Sequence, residues 1–101
     1  MTVTTVNNDN NITVSLDGWL DTVSSPELGA EIEKIKEAKT ITLDFDKVEY
    51  ISSAGLRQIV SCLKKAKCIN ADFSIINVNN EVMSIFTLTC FDKKMNIKPK
   101  E

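Results

Sequence analysis

At 101 residues, 43% hydrophobic and 26% charged, with 3 Gly and 2 Pro, the chain has the composition of one ordinary globular domain. Folding at this length buries roughly 60–70% of the surface the unfolded chain exposes, so no metal or disulfide staple is required and a two-domain enzyme is excluded. Twelve basic against fourteen acidic residues give a net charge of −2. Without a basic stripe the counterion release that drives nucleic-acid binding is missing, and nucleic acid is not an expected partner.

The sequence contains no histidine, which excludes Ser-His-Asp and Cys-His catalysis and leaves a zinc site only cysteines and carboxylates as ligands. Cys62, Cys68 and Cys90 are odd in number and lack CxxC spacing, so they are expected as buried, reduced thiols. The opening Met1-Thr2-Val3-Thr4-Thr5 has neither a charged nor an apolar leader pattern, and no stretch approaches the roughly 20 apolar residues of a membrane span. The expectation is a reducing cytoplasm, without membrane insertion and without a cofactor or metal.

Val3 and Val6 open a β-prone stretch, and Ile12, Val14 and Leu16 alternate with polar neighbours, the period-2 signal of a strand with one wet face. Between them Asn7-Asn8-Asp9-Asn10-Asn11 reads as a hairpin turn, because Asn and Asp tolerate left-handed backbone. Asp17-Gly18 is expected to end the second strand. Ser24-Ser25-Pro26-Glu27 then has a hydroxyl N-cap followed by a helix-opening proline. Leu28, Ile32 and Ile35 form the apolar stripe of that helix, and Glu31, Glu33, Lys34, Lys36 and Glu37 its solvated side.

Ile41, Leu43 and Phe45 alternate in a third strand, with Asp46 expected to begin its exit loop. After Ser52-Ser53-Ala54-Gly55, the recurrence of Leu56, Ile59, Val60 and Leu63 predicts a second helix from about Ala54 to between Lys67 and Asn70, its last-turn lysines suiting the helix dipole. Phe73–Val78 is a fourth strand, and a crossover of this kind pairs its strands in parallel with a right-handed connection. Asn79-Asn80 caps a third helix with Val82, Ile85 and Phe86 inward, and Met95–Ile97 adds a short edge strand before a flexible tail over about 98–101. The sum is an α/β domain with a mixed four- to five-stranded sheet, an opening hairpin and helices mainly on one face.

The loop from Tyr50 to Leu56 is the densest candidate site, since it brings two hydroxyls to a helix N-terminus, where backbone N–H groups point outward. Two serines there are equally the residues that cap helices. No GxSxG elbow and no base near in sequence accompany them, so an enzyme is not expected. Asp17, Asp21, Asp44, Asp46 and Glu49 cluster at strand and loop ends, a set that would hold Mg²⁺ only together with phosphate oxygens brought by a partner. Trp19 is either an exposed interface anchor or a cover over one end of the core.

The run Leu16-Asp17-Gly18-Trp19-Leu20-Asp21, then Pro26-Glu27-Leu28, Ile41-Thr42-Leu43-Asp44-Phe45, Val48 to Leu56 and finally Asn77-Val78 resembles the STAS domain, the family named for sulfate transporters and bacterial anti-sigma factor antagonists. The similarity spans nearly the whole chain, and the free-standing size is similar to that of the single-domain antagonists. The resemblance implies a non-catalytic module that binds an anti-sigma factor, itself an ATP-dependent serine kinase, and is released when that kinase phosphorylates a serine two positions before the helix-opening glycine. By position that serine is Ser53, with Ser52 as the alternate acceptor; a phosphatase would restore binding. The family's usual signature has aspartate before this serine and serine or threonine after it, where this chain has Ser52 and Ala54. Trp19, Asp21, Ser52, Ser53, Ala54, Gly55 and Arg57 are the partner-binding residues the resemblance implies. A phosphate on Ser53 is expected to meet repulsion from Asp21, Asp44 and Asp46. A constitutive STAS scaffold or accessory subunit of a signalling or transporter complex, with the serines serving only as caps, is the alternative.

Overall fold

Alternating Thr and Val followed by an Asn-rich turn fold back as a hairpin. β1 (Thr2–Asn8) pairs antiparallel with β2 (Asn11–Leu20) through a turn in which Asp9 and Asn10 take positive φ and Asn7 Oδ1 accepts the Asn10 N–H. The computed structural model describes residues 1–100. After the hairpin come α1 (Ser25–Glu33), β3 (Thr40–Ile51), α2 (Ser53–Cys68), β4 (Asp72–Val78), α3 (Asn80–Leu88), α4 (Phe91–Lys94) and β5 (Asn96–Pro99). The five strands lie in the order β1-β2-β3-β4-β5, and every pairing after the hairpin is parallel.

Strand alternation assigns the two faces. Ile12, Val14 and Leu16 of β2, Ile41, Leu43 and Phe45 of β3, and Phe73 and Ile75 of β4 are buried against Leu28 and Ile32 of α1, Ile59, Cys62 and Ala66 of α2, and Val82 and Phe86 of α3. The residues between them, Thr13, Ser15, Thr42, Asp44, Ser74 and Ile76, point to the opposite face and stay half-buried. The expected mixed sheet with helices on one side is therefore what the chain forms.

Both inner strands outrun their expected ends. β2 does not stop at Asp17-Gly18, because Gly18 at φ +119 and register shifts at Ser15/Asp17 and Gly18/Trp19 carry it through a bulge to Leu20. Asp46 does not begin a loop: Asp46 and Lys47 are exposed, Val48 returns to the core, and β3 continues to Ile51. At α1, Ser24 occupies the N-cap but its hydroxyl makes no capping bond, and the last apolar residue of the expected stripe, Ile35, is buried just beyond the helix end. Of the cysteines only Cys62 is buried, since Cys68 ends α2 off its buried stripe and Cys90 sits in left-handed backbone before α4. Within 98–100, part of the span expected as a flexible tail, β5 runs through Pro99, the Lys100 N–H donates to Val78 O at 2.8 Å, and Lys100 Nζ pairs with Asp46. Glu101, the last residue of that expected tail, lies outside the described residues.

Candidate functional site

The extra length of β2 and β3 matters because it brings their C-terminal ends together. Trp19 pairs with Tyr50 and Leu20 with Ile51 in parallel register, immediately before the chain turns into α1 and α2. The Ser52 N–H donates to Leu20 O at 2.9 Å. Gly55 then packs so closely that a Cβ there would lie 2.5 Å from Leu20 O and 2.7 Å from Ile51 Cγ1, so only glycine lets the α2 N-terminus close onto the end of β2.

The two serines of the loop have different positions. Ser52 is the N-cap of α2, in extended backbone, and its Oγ accepts the Gly55 N–H at 3.3 Å. Ser53 is the first residue of the helix and is exposed, with no hydrogen bond to its hydroxyl among the described residues. Arg57 is exposed four residues on, which on a helix is the same face one turn along. Ala54 is half-buried.

Asp21 organises the neighbouring turn. Its Oδ1 accepts the N–H groups of Val23 and Ser24, each at 3.1 Å, and the Ser24 hydroxyl at 3.0 Å. The Ser24 hydroxyl also lies 2.6 Å from Trp19 O and 2.9 Å from the Asp21 N–H, and the Ser25 hydroxyl donates to Asp21 O. These bonds to the charged form, the Ser24 backbone N–H first among them, hold the Asp21 carboxyl below its ordinary value. The Ser24 hydroxyl is thus spent on this turn rather than on α1, and the turn leaves Val23 84% exposed at its tip.

Trp19 is an exposed residue of β2, not a cover over the core. Its indole is 55% exposed and Tyr50 is 43% exposed, and the two rings sit 5.5 Å apart at 54°. The indole N–H donates to Glu49 Oε2 at 3.1 Å. Glu81, in the first turn of α3, lines the same cleft, held there because Asn79 caps α3 at the Val82 N–H while its Nδ2 donates to Val48 O.

The structure therefore gathers Trp19, Asp21, Ser52, Ser53, Ala54 and Gly55 at one end of the sheet, with Arg57 a turn further along α2. It does not gather the five acidic residues. Asp44 and Asp46 lie back along β3, roughly 20–30 Å from the Ser52–Ser53 loop at the usual strand rise, and both are engaged: Asp44 Oδ1 accepts from the Asp46 N–H and Asn77 Nδ2, and Asp46 pairs with Lys100. At that range a phosphate on Ser53 is screened from Asp44 and Asp46, two of the three carboxylates expected to repel it. Asp17 lines, with Asp44, Asp46 and Lys47, a depression of about 370 Å³ beside the open face. Sequence reading placed Tyr50 only at the start of the serine loop and missed Glu81 and Val23 as members of this end. A lone valine inside a polar turn was the one local signal; Glu81 is brought in only by the tertiary fold.

An α/β module that presents an exposed aromatic pair and a serine-bearing helix start at one end has the form of a binding domain. A family model for the STAS domain matches residues 2–101, and the chain belongs to that family. A protein of Bordetella bronchiseptica, provisionally named anti-sigma factor antagonist BtrV, is 25% identical over 85 residues, 82% of this chain and 73% of that protein. The fold superposes on an anti-sigma factor antagonist from Mycobacterium paratuberculosis with a TM-score of 0.87 at 23% identity, over 97% of this chain and 85% of that one. It also superposes on the phosphorylated form of the Bacillus cell fate determinant SpoIIAA, with a TM-score of 0.74 at 14% identity over 95% and 90% of the two chains. Antagonists of this family are in general binding modules without catalysis of their own. Among the described residues no helix is long and apolar enough to cross a membrane.

Proposed function

We propose that this chain is a cytoplasmic anti-sigma factor antagonist, a protein-binding module switched by phosphorylation of Ser53. Its partner is an anti-sigma factor that is also a serine kinase of the ATPase type, and a phosphatase resets the switch. The observation that carries the reading is the division of labour in the loop: Ser52 Oγ caps α2 while Ser53 stands exposed at the first helical position. That makes Ser53 the better acceptor of the two. The contact surface is the end bearing Trp19, Asp21, Ser52, Ser53, Ala54, Gly55 and Arg57.

A phosphate on Ser53 adds about −1.5 to −2 charge, and the helix N-terminus returns only about 0.3–2 kcal/mol of stabilisation. Arg57, one turn away, is the cation positioned to share that charge within the free protein. In a desolvated contact an unpaired phosphate costs on the order of several kcal/mol, and each ~1.4 kcal/mol is tenfold in affinity. Release therefore needs no refolding of the domain.

Ser52 and Ala54, standing where the family pattern has aspartate and serine or threonine, favour a second reading in which the chain is a constitutive scaffold. Quantitative capture from the native organism's extract separates the two, using wild type, Ser53→Ala and Ser53→Asp as baits and mapping phosphate on the wild type by mass spectrometry. A small ATPase-type kinase kept by the Ala bait and lost by the Asp bait supports the switch. The same partner on all three baits, with no phosphate at Ser52 or Ser53, rejects it for the scaffold.

A further inference from the structure

Beside the serine loop lies a cleft of about 390 Å³ lined by Trp19, Glu49, Tyr50 and Glu81. Two half-exposed aromatic rings form its apolar part. Glu49 is oriented by the bond from the Trp19 indole to Oε2, which leaves Oε1 open. The ion pairs among the described residues, Lys34–Glu31 and Lys100–Asp46, involve neither Glu49 nor Glu81, and the cation over a ring is Lys94 on Phe91, elsewhere. The cleft thus presents two carboxylates and two ring faces without a cation of its own chain between them.

We infer that this cleft receives an arginine side chain of the bound protein. The inference rests on the reading of the chain as a protein-binding module and names the chemistry that one part of its surface recognises. An anion is repelled by Glu49 and Glu81, and an apolar group would desolvate both carboxylates without pairing them. A cation satisfies both features. Guanidinium suits them better than ammonium because it is planar, sheds water more readily, lies flat on an indole or phenol face and still offers N–H donors at its edge to carboxylates.

Trp19 is the only tryptophan, so its indole N–H gives a single reporter resonance. The ¹⁵N-labelled protein is titrated with the blocked tripeptide acetyl-Ala-Arg-Ala-amide, with its lysine counterpart and with its neutral citrulline isostere. The arginine peptide is expected to shift the Trp19 indole saturably in the millimolar range, the lysine peptide to bind roughly two- to fivefold more weakly and the citrulline peptide not at all. Glu81→Gln, an exposed change that leaves α3 intact by circular dichroism, is expected to weaken the arginine peptide by a similar roughly two- to fivefold. Equal shifts from the citrulline or lysine peptide, or arginine shifts centred on Asp17, Asp44 and Asp46 with Trp19 unmoved, overturn the inference. No partner is needed for the titration. Its failure beside an intact kinase capture rejects the arginine cleft alone, whereas lost switching beside an intact titration rejects the antagonist reading alone.

Discussion

Gly55 is the residue on which the geometry of the serine loop depends. Adding one methyl there drives a carbon into Leu20 O and Ile51 Cγ1, and overpacking of this kind costs about 1–3 kcal/mol. Gly55→Ala should therefore lower the urea midpoint of unfolding with an unchanged slope; an unaltered midpoint would mean that α2 can slide away from β2 freely. The two serines should separate in the same assay. Ser52→Ala removes the cap on the Gly55 N–H and should cost about 0.5–2 kcal/mol, while Ser53→Ala, exposed, should stay within about 0.5 kcal/mol of wild type. Asp21 carries a pH signature. Its folded-state carboxyl is held below the ordinary 3.8, so the stability it contributes is fully present above that value and is lost as pH falls below it toward the folded value. Stability measured between about pH 5 and pH 2 should fall less steeply in Asp21→Asn than in wild type.

Among the elements, those whose pattern is local were legible in the sequence. The Asn-rich hairpin, the α2 helix and the Asn79 cap of α3 each repeat a short-range rule and each formed, although the buried line of α2 runs through Gly55, Ile59, Cys62 and Ala66, with Leu56, Val60 and Leu63 of the expected stripe only partly buried. The strand ends did not follow from such a rule. Beyond Phe45 the buried positions of β3 are Val48 and Ile51, a spacing of three that breaks strict alternation and reads as a loop. Only pairing with the bulged end of β2, thirty residues away in sequence, makes it a strand. The same bulge hid Trp19, which looked like a loop residue because Gly18 preceded it. The four-residue α4 has too few turns to show a period. It is held instead by packing: Phe86 of α3 is fully buried between Phe45 of β3, with ring centroids 6.0 Å apart, and Phe91 of α4 at 5.9 Å. Phe86→Ala should cost about 3–5 kcal/mol, a large part of the roughly 5–15 kcal/mol available to a domain of this size, and chemical denaturation should show it.

For the molecule as a whole, the three thiols report on opening. Cys68 and Cys90 are exposed, and Cys62 lies buried in the core, where desolvation pushes its thiol up to about 12. Since the thiolate is the reactive form, a disulfide-exchange reagent at pH 8 should consume two thiols rapidly in the native protein and the third only as denaturant unfolds it. Three fast equivalents would mean that the layer between α2 and the sheet opens readily.

The exposed end described above draws its residues from the close of β2, the close of β3 and the first turn of α3. No stretch of a few consecutive residues reproduces it, and a chain still emerging from synthesis, short of Asn79 and Glu81, has no such surface to offer. Pairings between distant segments of this kind form late, after the loops that separate them have closed. A protein that recognises this end consequently counts finished copies only: the level it senses is that of completed domains, and unfinished or misfolded chains pass unread.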